Sequence, residues 1–340
     1  MREPAFWYRP PSWMSRLLAP LGALYGAVAA RRMRRAGAVA GVPVVCVGNY
    51  HVGGAGKTPT VLALADILRG MGEQPVVVSR GYGGTVEGPV RVDPARHVAA
   101  EVGDEPLMMA AHAPVIVARD RAAGAALARA QGASVVLLDD GFQNPALAKD
   151  MALIVIDAAR GVGNACVFPA GPLRAPLPPQ VARTDALVVI GEGHGADGVA
   201  AAVAARGAPV WRARLAPDDA ALARLRGRRV LAFAGIGDPQ RFVATLRAGG
   251  VDVTATRAFA DHHRFSPEEI ARLMADARAG ALLLVTTEKD MARIGGDARL
   301  ANHAASIATL PVKLIFDDTT GLRALLAQRL VAARDSQRAI

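Results

Sequence analysis

Val44-Val45-Cys46-Val47-Gly48-Asn49-Tyr50-His51-Val52-Gly53-Gly54-Ala55-Gly56-Lys57-Thr58-Pro59 is the stretch that decides the fold. Its first four residues are apolar and mostly β-branched, the pattern of a strand buried on both faces. A glycine-rich turn follows, then Lys57-Thr58, and from Thr60 to Arg69 apolar residues recur at helical spacing. Strand, glycine loop, Lys-Thr and helix together have the layout of a phosphate-binding loop. Glycines let backbone N–H groups curl round phosphate oxygens, the lysine reaches the β- and γ-phosphates, the threonine hydroxyl binds Mg²⁺, and the helix N-terminus adds its dipole. Val52, Gly53, Gly54, Ala55, Gly56, Lys57, Thr58 and Pro59 are therefore the expected nucleotide-binding residues. The strict pattern asks for glycine at position 51, where His51 stands; Gly53-Gly54 can supply that flexibility instead. A plain strand-to-helix turn is the bland alternative. Against it, only four of the 40 Lys and Arg residues are lysines, and one of them falls on the motif position.

At 340 residues the chain is long enough for two domains. A hydrophobic content of 52% fits a globular protein. Cys46 and Cys166 have no metal-ligand spacing and suggest neither a disulfide framework nor a zinc site, which favours a reducing, cytoplasmic setting. The net charge of +10 is compatible with nucleic acid, anionic lipid or a phosphorylated substrate. Its distribution chooses among them: residues 1–36 hold seven arginines against one glutamate.

That segment reads as a membrane-surface helix. Ser12 can cap it, and Trp13, Leu17, Leu21, Leu24 and Val28 then share one face, while Ser15, Ala19, Gly22, Gly26 and Ala30 form a small-residue stripe. The apolar run 17–30 is too short to span a bilayer. Aromatic residues at one end and Arg31-Arg32-Met33-Arg34-Arg35 at the other suit an anionic headgroup region. A helix packed on the domain and a signal peptide are the competing readings; the arginines directly after the apolar run oppose export.

From Val44 onward strands alternate with helices, which implies a parallel sheet with helices on both faces. Pro75–Ser79 reads as a strand ending in Arg80-Gly81-Tyr82-Gly83-Gly84, where Arg80 and Tyr82 either touch ligand or line a plain turn. Asp104 and Glu105 open a helix, and as a lone pair they need only complement its dipole. Ser134–Leu138 leads into Asp139-Asp140-Gly141-Phe142-Gln143, a buried strand ending in carboxylates of the kind that hold Mg²⁺ in P-loop folds. Gln143 either orients a nucleophile or bonds the loop. Arg174, in a proline-rich loop, suits a phosphate. The stretch 214–227 reads as helical and basic, and a second αβ run starts at Val230. Asp261-His262 is either an acid–base pair or loop solvation. Leu282–Val285 reads as a strand running into a polar turn at 286–290, and 319–339 as a surface helix.

These motifs fit phosphoryl transfer from a nucleoside triphosphate. The ordered set Gly48-Asn49, 52–59, 79–84, 103–106, 139–143, Pro169-Ala170-Gly171-Pro172-Leu173-Arg174, Gly235-Ile236-Gly237, Asp261-His262-His263 and 286–290 resembles the tetraacyldisaccharide 4'-kinases of lipid A biosynthesis. The resemblance runs from the N-terminal helix to about residue 320. It implies an ATP- and Mg²⁺-dependent kinase at the cytoplasmic face of a Gram-negative inner membrane, acting on the 4'-hydroxyl of a tetraacylated glucosamine disaccharide 1-phosphate. Nucleic acid and an obligate protein partner are not expected. By the same resemblance Asp104, assisted by His262, deprotonates the sugar hydroxyl. Thr58, Asp139 and Asp140 surround Mg²⁺, and Asp261, Arg80, Tyr82, Glu105, Arg121, Gln143 and Arg174 support the site. Ala175, Asn144 and His51 depart from residues common in the family.

The expected fold is α/β: a P-loop NTPase-type parallel sheet flanked by helices over 37–220, a smaller α/β lid over 221–340, and the amphipathic helix of 1–36. A kinase or ligase of a soluble substrate and a membrane-recruited nucleotide switch are the alternative functions. The switch is disfavoured because Lys289-Asp290 lacks the guanine-reading spacing.

Overall fold

The computed structural model describes residues 3–297 and 299–338. Two sheets carry the fold. The first is built from β1 (Val44–Gly48), β2 (Pro75–Ser79), β3 (Val90–Arg91), β4 (Val115–Val117), β5 (Val135–Asp139), β6 (Met151–Asp157), β7 (Ala186–Ile190) and β8 (Val210–Pro217). The second holds β9 (Arg229–Ala234), β10 (Asp252–Ala258), β11 (Leu283–Thr287) and β12 (Ile307–Leu310); β13 (Val312–Phe316) then returns to the first. The nine-stranded order is β13-β8-β7-β6-β1-β5-β2-β4-β3, parallel throughout except for the antiparallel edges β3 and β13.

β1, β2, β5 and β7 are buried at every position, because helices cover both faces and each side chain must enter one of two apolar layers. β1 lies between β5 and β6, and the helix Lys57–Arg69 leaves its carboxyl end over one face. That is the switch point at which open α/β sheets bind ligands. The register sets Val47 beside Asp139, so the glycine loop and the paired aspartates emerge side by side.

The four-stranded sheet, ordered β10-β9-β11-β12, is wholly parallel and has its own two apolar layers. Three local expectations change. The basic stretch 214–227 holds the expected helix only at Asp219–Leu225 and begins as the end of β8, where the alternation of Trp211 and Ala213 toward the core outweighs Arg212 and Arg214. The polar turn at 286–290 is the start of a helix, Glu288–Gly295, with Thr287 as cap accepting from the Asp290 amide. The C-terminal helix, Thr319–Arg338, is not a mere surface element. Leu322, Leu326, Leu330 and Ala333, spaced by four and three, are buried in one apolar layer of the nine-stranded sheet. Residues 312–338 therefore join the first sheet rather than the second; Ala339, assigned to the same helix, lies outside the described residues, as do Met1 and Arg2 of the N-terminal segment.

Helix α1 (Trp13–Met33) is capped by Ser12 and packs by its small residues. Ser15, Gly22, Gly26, Ala30 and Met33 are buried, and a Cβ on Gly22 would lie 2.7 Å from the Val167 carbonyl oxygen. The large residues point away: Trp13 is 72% exposed, Leu17 68%, Leu21 57% and Leu24 67%. Among the described residues no helix is long and apolar enough to cross a membrane.

Candidate active site

The glycine loop leaves β1 and closes with Gly56 as the left-handed residue before the helix (φ 86°), while Gly53 is also at positive φ (102°); side chains are disfavoured at both. Lys57 opens the helix with its Nζ 3.5 Å from the Gly53 carbonyl and 3.8 Å from Asp140 Oδ1. Thr58 is buried beside it. Asn49 Nδ2 donates to the Gly53 carbonyl at 3.1 Å, and Gln143 Nε2 donates to the Asn49 carbonyl at 2.7 Å and to Gln180 Oε1 at 2.9 Å. Of the two roles open to Gln143, bonding the loop is the one the geometry has. His51 is buried with Nδ1 2.9 Å from the Val52 carbonyl. Burial and the nearby Lys57 and Arg174 charges outweigh that bond and push its pKa down to about 4, so the ring is neutral at neutral pH.

The aspartates at the end of β5 have opposite environments. Asp140, at φ 50°, receives both arms of the Arg174 guanidinium at 2.8 and 3.1 Å. Burial opposes its charge, but Lys57 and Arg174 prevail and hold its pKa at about 2. Asp139 accepts from Ser79 Oγ at 2.9 Å through Oδ2, while its buried Oδ1 has no partner among the described residues. Burial, reinforced by the Glu105 and Asp140 charges, pushes its pKa up to about 6. Arg121 is buried beneath them, donating to the Ala118 carbonyl at 2.8 Å and the Asp139 carbonyl at 3.3 Å. It braces the backbone and borders the small cavity beside Asp139 and Asp140.

Opposite the loop, the helix Asp104–Ala110 begins with the two carboxylates, and the second sheet supplies their partners. His262, at φ 57°, brings Nδ1 to 2.9 Å from Asp104 Oδ2. Asp261 Oδ2 lies 3.7 Å from the other ring nitrogen. Arg293, a residue to which the sequence reading gives no role, donates to the same Asp104 oxygen from Nε at 2.9 Å and from Nη2. Lys289, quoted there only within a motif, pairs with Glu105. Burial works against the Asp104 charge, but the His262 bond and the Arg293 charge hold it well below the usual carboxylate range. The bond to Asp104 in turn raises the His262 pKa against the effect of burial. Locally, Thr287-x-x-Asp290 marks a helix start on which Lys289 and Arg293 fall four residues apart on one face, but nothing local points that face at Asp104.

Tyr82 is largely exposed, its ring 6.1 Å edge-on from His262. A cavity of about 50 Å³ is bounded by Arg80, Arg121, Asp104, Asp139, Asp140 and His262, and a second of about 470 Å³ opens beyond Asp104 and His262 toward Arg264 and Phe265. The paired aspartates, Arg80, Tyr82 and the Asp104–His262 pair thus converge on one cleft, which Lys57 and Arg174 reach through Asp140, with Arg121 on its wall and Gln143 bonding the glycine loop behind it. Fold and site together define a P-loop phosphotransferase.

A family model for tetraacyldisaccharide-1-P 4'-kinase matches residues 14–331, and the chain belongs to that family. The chain is 66% identical over 334 residues to the tetraacyldisaccharide 4'-kinase of Nitrobacter winogradskyi, covering 98% of this chain and 99% of that one. It is 64% identical over 337 residues to that of Rhodopseudomonas palustris (strain BisB5), covering 99% of each. Among solved structures it resembles LpxK from Aquifex aeolicus in complex with ATP, with a TM-score of 0.70 and 26% identity over 93% of this chain and 99% of that one.

Proposed function

We propose that the chain transfers the γ-phosphoryl group of ATP to the 4'-hydroxyl of tetraacyldisaccharide 1-phosphate, at the cytoplasmic face of an inner membrane. The observation that carries this reading is the Asp104–His262 pair, 2.9 Å apart, facing Lys57 and the paired aspartates across one cleft in a chain of this family.

Lys57 and the loop amides hold the β- and γ-phosphates. Asp104 accepts the hydroxyl proton while the acceptor oxygen bonds to the γ-phosphorus and the β–γ bridging bond breaks, with ADP as the leaving group. His262 orients the Asp104 carboxylate. Mg²⁺ fits Thr58, Asp139 and Asp140: the partnerless Asp139 Oδ1 and the raised Asp139 pKa are what a cation there would relieve. Among the described residues no three His, Cys, Asp or Glu side chains cluster as a complete metal cage. Such a donor set is usual for Mg²⁺, which takes one or two carboxylates and completes its shell with phosphate and water, and it supplies charge neutralisation on the phosphates.

The four-stranded unit acts as a lid. Lys289–Glu105, Arg293–Asp104 and Arg241–Asp157 (3.0 Å) tie it to the first sheet on both sides of the cleft. The exposed Trp13, Leu17, Leu21 and Leu24 face of α1, next to Arg31, Arg32, Arg34 and Arg35, lies on an anionic membrane surface.

The test incubates protein, ATP and Mg²⁺ with tetraacyldisaccharide 1-phosphate in detergent and follows product mass, beside Lys57→Ala and Asp104→Ala. A gain of one phosphoryl group, lost in both variants, is expected. ATP hydrolysis without phosphorylated lipid would overturn the acceptor assignment.

A further inference from the structure

We infer that Arg293 is a positioning residue that builds the base from both units: carried by the four-stranded unit, its guanidinium grips Oδ2 of Asp104 and leaves Oδ1 as the oxygen presented to the acceptor hydroxyl. The inference rests on the reading of Asp104 as base.

Four contacts fix the guanidinium plane. Nη1 donates to the Gly235 carbonyl at 2.8 Å and to Asp290 Oδ1 at 2.6 Å; Nε and Nη2 donate across the seam to Asp104 Oδ2. Asp290 is itself fully buried and held by the Gly235 amide at 3.0 Å and Thr287 Oγ1 at 2.8 Å. The line from the helix cap to Asp104 therefore runs Thr287, Asp290, Arg293, Asp104, with each link hydrogen-bonded. One turn earlier on the same helix face, Lys289 pairs with Glu105, so two cations four residues apart grip two consecutive carboxylates. That match sets the rotation of the helix Asp104–Ala110 as well as the side-chain torsion of Asp104.

Oδ2 of Asp104 thus takes bonds from Arg293 and His262, both from the second unit. Among the described residues no donor is bonded to Oδ1, and Asp104 borders both cavities of the cleft. Charge withdrawn from Oδ2 makes Asp104 a weak base, and a weak base suffices where the transition state is loose and the hydroxyl proton leaves late. What the arrangement contributes is aim. Because both Oδ2 donors belong to the lid, the base is complete only when the lid is seated, which disfavours transfer to water.

The charged groups facing Asp104 are His262 and Asp261 from the loop after β10, Arg293, Lys289 and Asp290 from the helix Glu288–Gly295, and Glu105 beside it. Arg80 and Tyr82 of the glycine turn border the same small cavity. Losing Arg293 leaves His262 as the single cation bonded to this carboxylate, and the Asp104 pKa rises. Because that pKa starts well below the usual carboxylate range, Asp104 stays ionised near neutral pH either way, and what the loss of Arg293 changes there is the aim of Oδ1.

The experiment measures kcat and KM for both substrates at pH 7.5 in full-length Arg293→Lys, Arg293→Gln and Asp104→Asn. Arg293→Gln is expected to lose about a hundredfold in kcat with the ATP KM within about twofold. Arg293→Lys keeps a charge but cannot span Asp104, Asp290 and Gly235 together; it is expected to lose about tenfold in kcat. An Arg293→Lys enzyme with full kcat overturns the inference, and this holds even if Arg293→Gln fails to fold. So does a folded Arg293→Gln enzyme whose loss lies in the ATP KM rather than in kcat. Substantial activity in Asp104→Asn would instead overturn the reading of Asp104, which separates the two failures.

Discussion

Replacing Leu17, Leu21 and Leu24 together by serine tests whether the outer face of α1 is built for lipid. These side chains are 57–68% exposed, so they contribute little to the fold, and surface substitutions of this kind stay within about 0.5 kcal/mol of stability each. In lipid the same exposure becomes the free-energy source. A leucine side chain moved fully out of water gains about 1.5–3 kcal/mol, so with roughly 60% of each available, three give about 4 kcal/mol. That corresponds to nearly a thousandfold in partitioning. Arg31, Arg32, Arg34 and Arg35 remain and add about 1 kcal/mol each near an anionic surface, a contribution that salt screens. Sedimentation with phosphatidylglycerol-containing vesicles at low and high salt measures both parts. The expected result is an unchanged melting temperature, a loss of two to three decades in vesicle affinity, and residual binding that disappears at high salt. A melting temperature that falls by ten degrees with unchanged vesicle binding would refute the reasoning, because the leucines would then be packing residues.

Gly22→Val is the converse experiment. Its new Cβ would meet the Val167 carbonyl at 2.7 Å, so thermal unfolding should show a loss of about 1–3 kcal/mol; an unaltered melting temperature would mean that α1 does not pack closely. Arg174→Ala removes both donors from Asp140, whose pKa then rises above about 2, and calorimetry should report nucleotide affinity weakened about tenfold or more. Arg174→Lys is expected to recover only part of it, since it cannot make the paired bond. For Asp139 the folded pKa of about 6 exceeds the ordinary 3.8, so the folded state keeps a proton that the unfolded state releases. Its contribution to stability therefore falls as pH rises from 3.8 to 6 and is a penalty at pH 7. Mg²⁺ should raise the melting temperature more at pH 7.5 than at pH 5, and Asp139→Asn should flatten the difference; equal shifts at both pH values would remove Asp139 from the metal site.

What was legible in the sequence was local. β1, the glycine loop and the helix behind it are consecutive, so apolar periodicity, glycines and Lys-Thr state them within the one stretch Val44–Arg69. The Asp139-Asp140 end of β5 was legible because a strand buried at every position that stops on two carboxylates has few structural excuses. Periodicity carried less at 312–338, where alternation in β13 and the leucine spacing of the last helix state an amphipathic element but not which sheet it faces. It carried least at Arg293. Its partner Asp104 is 189 residues away, and their meeting depends on how the second sheet docks, which no local pattern encodes.

The loop between β6 and the helix Leu177–Val181 explains why an N-terminal helix and a nucleotide cleft belong to one design. On its outer side it carries α1 and the short turn before it: Gly22 sits on Val167, Tyr25 stacks edge-on with Phe168 at 5.5 Å, and Trp7 Nε1, in the 3-10 turn Ala5–Tyr8, donates to the Pro169 carbonyl at 3.1 Å. On its inner side the same loop holds the cleft, with the Val52 amide on the Pro172 carbonyl at 2.8 Å and Arg174 bonded to both Asp140 and the His51 carbonyl. Only a few residues separate the two sets of contacts. α1 is thus joined to the glycine loop and Asp140 by packed side chains and backbone bonds rather than by a bare stretch of chain. The small-residue stripe follows from the same requirement: to leave its large apolar residues outward, α1 must approach the loop closely with glycine and alanine, and that close approach makes the connection stiff.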